Sequence, residues 1–246
     1  MFCSVAFAHT IEWYVGDTLL STTTCESGDN ITPPTVPAKF GYSFKKWKPE
    51  YTRIEYLEST GTQWIDTGYK YTNTITAKMS INRKNSLIGR WLFGYRFTNT
   101  PAVDGNMRAF FIYEDGRIGL RFGAGASNSS VGVELNKQVE LELITTERKI
   151  YLNGTPIVQA PSAYNTTDFG TIYFLWANVD GYYSADVSPF IGMVYYLQIY
   201  DNDVLVRDMI PVLDKNGTPC MYDKVEHKFY YNAGTGQFIA GPVLTE

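Results

Sequence analysis

Residues 138–158 read QVELELITTERKIYLNGTPIV. From Val139 to Leu143 apolar and acidic residues alternate strictly, which is the period of a half-buried strand. That alternation places Glu140 and Glu142 on one face and Val139, Leu141 and Leu143 on the other. A second apolar run, Ile150 to Leu152, meets Asn153-Gly154, and a third run follows at once. Asn-Gly accepts the two consecutive positive-φ conformations of a tight turn, so between apolar runs it is the strongest short hairpin signal. The same grammar recurs outward along the chain. Asp115-Gly116 tips a hairpin at Tyr113–Arg117, and Asp201-Asn202-Asp203 separates FIGMVYYLQIY from VLVRDMIPV. In YLESTGTQWIDTG, residues 56–68, the turn formers Ser59 to Thr62 lie between two extended segments. That spacing predicts a first hairpin that returns the chain across one sheet. No long stretch holds a helical period. Many short strands at this spacing predict an all-β fold built as an antiparallel β-sandwich.

Composition bounds the function. The chain has 246 residues, 44% hydrophobic and 15% aromatic with 19% charged, ample for one large domain and a small one. Abundant Tyr, Thr and Gly suit pleated surfaces and turns. A net charge of −4 offers no basic footprint for nucleic acid. No stretch approaches the roughly 20 apolar residues that span a bilayer as a helix. The opening MFCSVAFAHT has no positive n-region, which reads against Sec export of this chain by itself. Cys3, Cys25 and Cys220 are odd in number and form no CxxC pair, so they read as free or buried thiols.

Two parts are expected, residues 1–50 and 51–246, with a junction near Pro49 to Arg53. In the first, Thr10 to Val15 is rich in strand formers, and Pro33, Pro34 and Pro37 exclude helix from the stretch that follows. Gly28, Ile31, Pro34, Pro37, Gly41, Tyr42, Phe44 and Trp47 fall on the pattern of the Listeria–Bacteroides repeat. Residues 10–49 therefore resemble that small β-grasp-like module of internalin-type surface proteins. The resemblance implies a spacer or stalk unit.

The second part resembles the laminin-G-like, concanavalin A-like jelly roll. YLESTGTQWIDTG, the strand and hairpin at 139–154, and GMVYYLQIYDNDVLVRDMIPV carry the resemblance. The tail from Pro211 to Asn232 is similar to a C-terminal extension found in gut-bacterial and phage versions of the domain. The predicted fold class is thus all-β, a small β-grasp-like module followed by a jelly-roll sandwich with a C-terminal hairpin extension.

Glycoside hydrolases of related fold project two or three carboxylates from one strand, and VELELITTER is the candidate here. Glu140 and Glu142 share a face and could act as nucleophile and acid. Leu143-Ile144-Thr145 supplies no third acid, Glu147 comes too late, and a solvated strand face explains the pair equally well. His227 lies in the charged hairpin DKVEHK, which reads as a solvated turn, and His9 is remote in sequence. No nucleophile elbow, P-loop or metal-ligand cluster is present in the sequence. The reading is non-enzymatic, with hydrolase the minority alternative.

Binding fits better. WANVDGYYSAD, residues 176–186, sets Trp176, Tyr182 and Tyr183 around Gly181 with Asn178 and Asp180 nearby. Aromatic faces beside amide and carboxylate groups suit sugars, whose C–H faces stack while their hydroxyls hydrogen-bond. The alternative is that these aromatics pack inward. No cofactor is expected, although Asp104, Asn106 and Asp180 are oxygen donors of the kind that hold calcium at a sandwich rim. The metal therefore stays open. A repeat module before a jelly roll suggests an adhesion protein of a bacteriophage particle (tail fibre, appendage or capsid decoration). Its expected partners are host surface glycan or other virion proteins, with assembly as a homo-oligomer. A bacterial cell-surface adhesin is the alternative.

Overall fold

The computed structural model describes residues 9–16, 18–26, 29–40, 43, 50–84, 90–96, 107–122, 125–161, 170–176 and 188–244. The chain divides into two compact units, Met1–Lys48 and Pro49–Glu246. In the first, β1 (His9–Val15) and β2 (Thr18–Cys25) pair antiparallel as a two-stranded sheet. The Trp13 indole donates to the Thr23 hydroxyl at 2.9 Å across that pair. Most of the third segment of the repeat pattern, including Tyr42, Phe44 and Trp47, lies outside the described residues.

The second unit is a sandwich of two sheets. One is seven-stranded, running β10 (Gly125–Gly132), β9 (Arg117–Phe122), β8 (Met107–Ile112), β7 (Arg90–Arg96), β14 (Thr171–Phe174), β5 (Ile65–Lys70), with β15 (Ser188–Pro189) parallel to β7. The other is eleven-stranded. Its main path runs β13 (Thr155–Gln159), β12 (Lys149–Leu152), β11 (Gln138–Ile144), β6 (Ile75–Arg83), β16 (Ile191–Asp201), β17 (Val204–Leu213), β18 (Pro219–Asp223), β19 (Lys228–Tyr230). The edge of β16 beyond β17 takes β4 (Leu57–Thr60), which also pairs β20 (Ile239–Ala240), and β3 (Thr52–Arg53) pairs β17.

The sheets meet through one core. Met79, Ile81, Leu141, Leu197, Ile199 and Met209 come from the larger sheet, and Phe93, Phe110, Leu120, Ile172 and Phe174 from the smaller. Each such side chain taken fully from water contributes about 1.5–3 kcal/mol. Arg207 ties the layers as well: its Nε donates to the Thr67 carbonyl at 3.0 Å, while Nη1 lies 2.8 Å from the Glu226 carboxylate.

The hairpins read from the sequence form where expected. Asn153 and Gly154 both take positive φ, 49° and 79°, and close β12 onto β13. Asp115-Gly116 joins β8 to β9, and Asn202-Asp203 joins β16 to β17. Residues 56–68 differ from expectation. β4 and β5 do not pair with each other; β4 belongs to the larger sheet and β5 to the smaller. The turn between them carries the chain from one sheet to the other. Leu57 and Ile65 both enter the shared core, and the buried Gln63 closes the turn by accepting the Thr60 N–H at 2.8 Å. The tail then secures this crossover, because Asn232 Oδ1 accepts the Trp64 N–H at 3.1 Å.

Candidate functional site

The outer face of the larger sheet is built by alternation and register. On β11 the odd-numbered Val139, Leu141 and Leu143 are buried, so Glu140 and Glu142 face outward, as the sequence predicts. Strand register then aligns Tyr151, Glu142, Lys78, Gln198 and Asp208 across five strands. Directly opposed side chains in such a ladder interact. Lys78 Nζ lies 3.4 Å from Glu142 and 5.6 Å above the centre of the Tyr200 ring. Gln198 donates to Asp208 at 3.1 Å, and Lys224 reaches the same carboxylate at 2.5 Å. Glu140 accepts the Tyr196 hydroxyl. Burial first, and that bond second, push the Tyr196 phenol above its ordinary range.

At one end of this face lies a depression of about 650 Å³. Thr76 and Lys78 of β6, Glu142 and Ile144 of β11 and Tyr200 of β16 line it. Thr146 and Glu147 contribute from the β11–β12 turn, and Asn202 and Asp203 from the β16–β17 turn. The second turn is pinned from behind. Asp201 accepts the hydroxyls of Thr72 at 2.8 Å and Tyr69 at 2.9 Å, and that of Thr74 as well. Burial would raise the Asp201 carboxyl, but these hydroxyl bonds outweigh it and hold the group below its usual range. Glu147 is likewise held low, by the Lys149 ammonium at 2.9 Å and the Tyr151 hydroxyl at 2.7 Å. The depression therefore offers hydroxyls, carboxylates, an amide and one phenol ring on a strand-braced floor.

Of the residues singled out by sequence, Trp176 is buried, at 4% exposure. It belongs to an aromatic layer on the outer face of the smaller sheet, with Trp91, Ala109 and Phe111, and its ring centre lies 5.0 Å from that of Trp64. Phe111 lies 4.8 Å from Trp91 and 4.9 Å from Tyr113, over Gly119, where a Cβ would come within 2.3 Å of its ring. Asn178, Asp180, Tyr182 and Tyr183 lie outside the described residues, as do Asp104 and Asn106. Among the described residues no group of three or more His, Cys, Asp or Glu could hold a metal. His227 sits exposed in the β18–β19 turn, its Nδ1 3.3 Å from the Tyr222 hydroxyl. Cys220 is a buried free thiol, pushed up to about 12 by burial.

Sequence reasoning missed the depression because three distant segments assemble it. Its signals were present singly: polar Thr76 and Lys78 alternate with Ile75, Ala77 and Met79, and Tyr200 immediately precedes the Asp201–Asp203 turn.

No family model matches the chain, and no curated protein matches it. Solved structures do. A candidate carbohydrate-binding protein from Bacteroides ovatus superposes with TM-score 0.54 and 14% identity, covering 90% of this chain and 68% of that one. The likeness is one of fold. It agrees with the antiparallel β-sandwich, of jelly-roll kind, described above. A heptameric SAP-like pentraxin from Limulus polyphemus matches more loosely, with TM-score 0.31 and 13% identity over 63% of this chain and 72% of that one.

Proposed function

We propose that this protein is a non-enzymatic adhesin whose sandwich binds glycan in the depression on its larger sheet. The observation that carries this reading is the depression itself, which hydroxyl, carboxylate and amide groups line together with Tyr200. Sites of this kind fix a ligand by a few convergent polar groups beside an apolar face. The Bacteroides ovatus protein, of like fold, is described as a candidate carbohydrate binder, which supports the reading. Glu140 and Glu142 are each engaged by a neighbour, Tyr196 and Lys78, which supports binding over hydrolysis. A second contact is proposed in the segment after Trp176, through Asn178, Asp180 and one of Tyr182 and Tyr183.

We place the protein on a bacteriophage particle, as tail fibre, appendage or capsid decoration, with a bacterial cell surface as the alternative. The resemblance of its tail to the extension seen in gut-bacterial and phage domains supports both. The same proposal has it assemble as a homo-oligomer, which would multiply weak single-site affinities. Immunogold labelling of purified particles and of host cells separates the two carriers.

The binding test is a glycan array with wild-type protein and Tyr200→Ala. Losing a central interface aromatic typically costs about 2 kcal/mol or more, so the variant should bind its glycans at least about tenfold more weakly with little change in melting temperature. Unchanged binding by Tyr200→Ala would remove the depression from the account. Release of reducing ends from a bound polysaccharide, abolished in a Glu140→Gln/Glu142→Gln variant, would establish a hydrolase instead.

A further inference from the structure

From the charge and donor inventory of the depression we infer that it selects neutral or amine-bearing sugars and rejects acidic ones; this rests on the glycan-binding reading above. Among the described residues lining it, Glu142, Glu147 and Asp203 are carboxylates and Lys78 alone is an ammonium, so three negative charges against one positive leave an excess of two. The cation is already committed, since Lys78 lies 3.4 Å from Glu142 and over the Tyr200 ring. A further cation, Lys149, is held by Glu147 of the rim at 2.9 Å. A ligand carboxylate would have to share either ammonium with a carboxylate already beside it.

Behind the rim, Asp201 adds to the negative field. Its hydroxyl bonds with Thr72, Thr74 and Tyr69 keep it charged at neutral pH. Ionised carboxylates accept hydrogen bonds and donate none. Such a wall pairs with sugar hydroxyls and ammonium groups, which donate, and leaves the negative charge of a uronate or sulfate uncompensated. Two like charges about 7 Å from a ligand carboxylate weaken its binding by about tenfold even at the dielectric of water.

Calorimetric titration with hexose oligomers and the uronic-acid oligomers of matching linkage tests the inference. Wild-type protein should bind the neutral oligomer at least about tenfold more tightly, and the gap should narrow at about 1 M salt, where screening reaches only ~3 Å. Glu142→Gln/Glu147→Gln should narrow it as well, as should Asp203→Asn, a change at an exposed turn residue that keeps the fold intact if the double variant does not. Uronic-acid oligomers bound as tightly as neutral ones would overturn the inference while leaving glycan binding in place. So would a gap that neither variant changes. Failure to bind any oligomer of either series would instead overturn the glycan-binding reading itself.

Discussion

Replacing Gln63 should destabilise the sandwich in a way that depends on which atom is lost. The Gln63 side chain, 3% exposed, sits inside the crossover from the larger to the smaller sheet. Its Oε1 accepts the Thr60 N–H at 2.8 Å and lies 3.2 Å from both the Ser59 and Thr60 hydroxyls, while Nε2 donates to Thr60 Oγ1 at 3.1 Å. Gln63→Leu keeps the volume but removes the acceptor, leaving the part-buried Thr60 N–H unpaired, while the buried Ser59 hydroxyl keeps the residue-63 backbone carbonyl at 3.2 Å. An unpaired buried group costs about 1–3 kcal/mol, so this part-buried N–H should cost roughly 1–2 kcal/mol after partial rehydration. For a unit of this size each kcal/mol moves the melting temperature by about 2–4 °C, giving a drop of roughly 2–8 °C. Gln63→Glu keeps the acceptor but buries a carboxyl, so it should out-melt Leu only in acid, where protonation removes the buried charge. Melting followed by circular dichroism on residues 49–246 reads the order directly. Equal melting of wild type and Gln63→Leu, or of the Leu and Glu variants in acid, would show that the turn is not held by this side chain.

Gly119→Ala should lower the urea midpoint by an amount equivalent to about 1–3 kcal/mol, because its methyl meets the Phe111 ring and that ring is wedged between Trp91 and Tyr113. An unchanged midpoint would mean the aromatic layer is loose. Asp201 is held below the usual carboxylate range, near 3.9 when unfolded, so it stabilises the fold above that value and the contribution is lost as pH falls through the folded pKa. Wild-type protein should therefore out-melt Asp201→Asn at neutral pH, with the gap closing in acid; a gap that widens in acid would reverse the sign of the argument. Residues 49–246 expressed alone should be soluble and melt cooperatively, since the core cluster, among the described residues, begins at Ile54; an unfolded product would mean that the first unit completes the second.

Local chemistry was legible and assembly was not. Asn153-Gly154, Asp115-Gly116 and Asn202-Asp203 set their turns by their own φ preferences, and the alternation of Val139 to Leu143 set which carboxylates face out. Turn formers at Ser59 to Thr62 announce a reversal but not the sheet that receives it. Pairing of Leu57 with Val194 and of Ile65 with Phe174, each more than 100 residues away, decides that. Trp176 packs inward, the alternative its sequence leaves open, and the four residues grouped with it lie outside the described residues. In a chain with 19 tyrosines and 5 tryptophans an aromatic beside a turn says little about which face it takes. The depression joins residues 74–78, 142–147 and 200–203, a juxtaposition that strand register creates and no single segment contains.

The most direct test of glycan binding on the larger sheet is chemical-shift mapping at threonine methyls and tyrosine rings while the sandwich is titrated with a neutral hexose oligomer. The account predicts shifts concentrated at Thr74, Thr76, Thr146 and Tyr200, the hydroxyl and ring groups of the depression. Shifts confined to the opposite face, at Tyr113 and Tyr173 beside the Trp64–Trp176 layer, would contradict it.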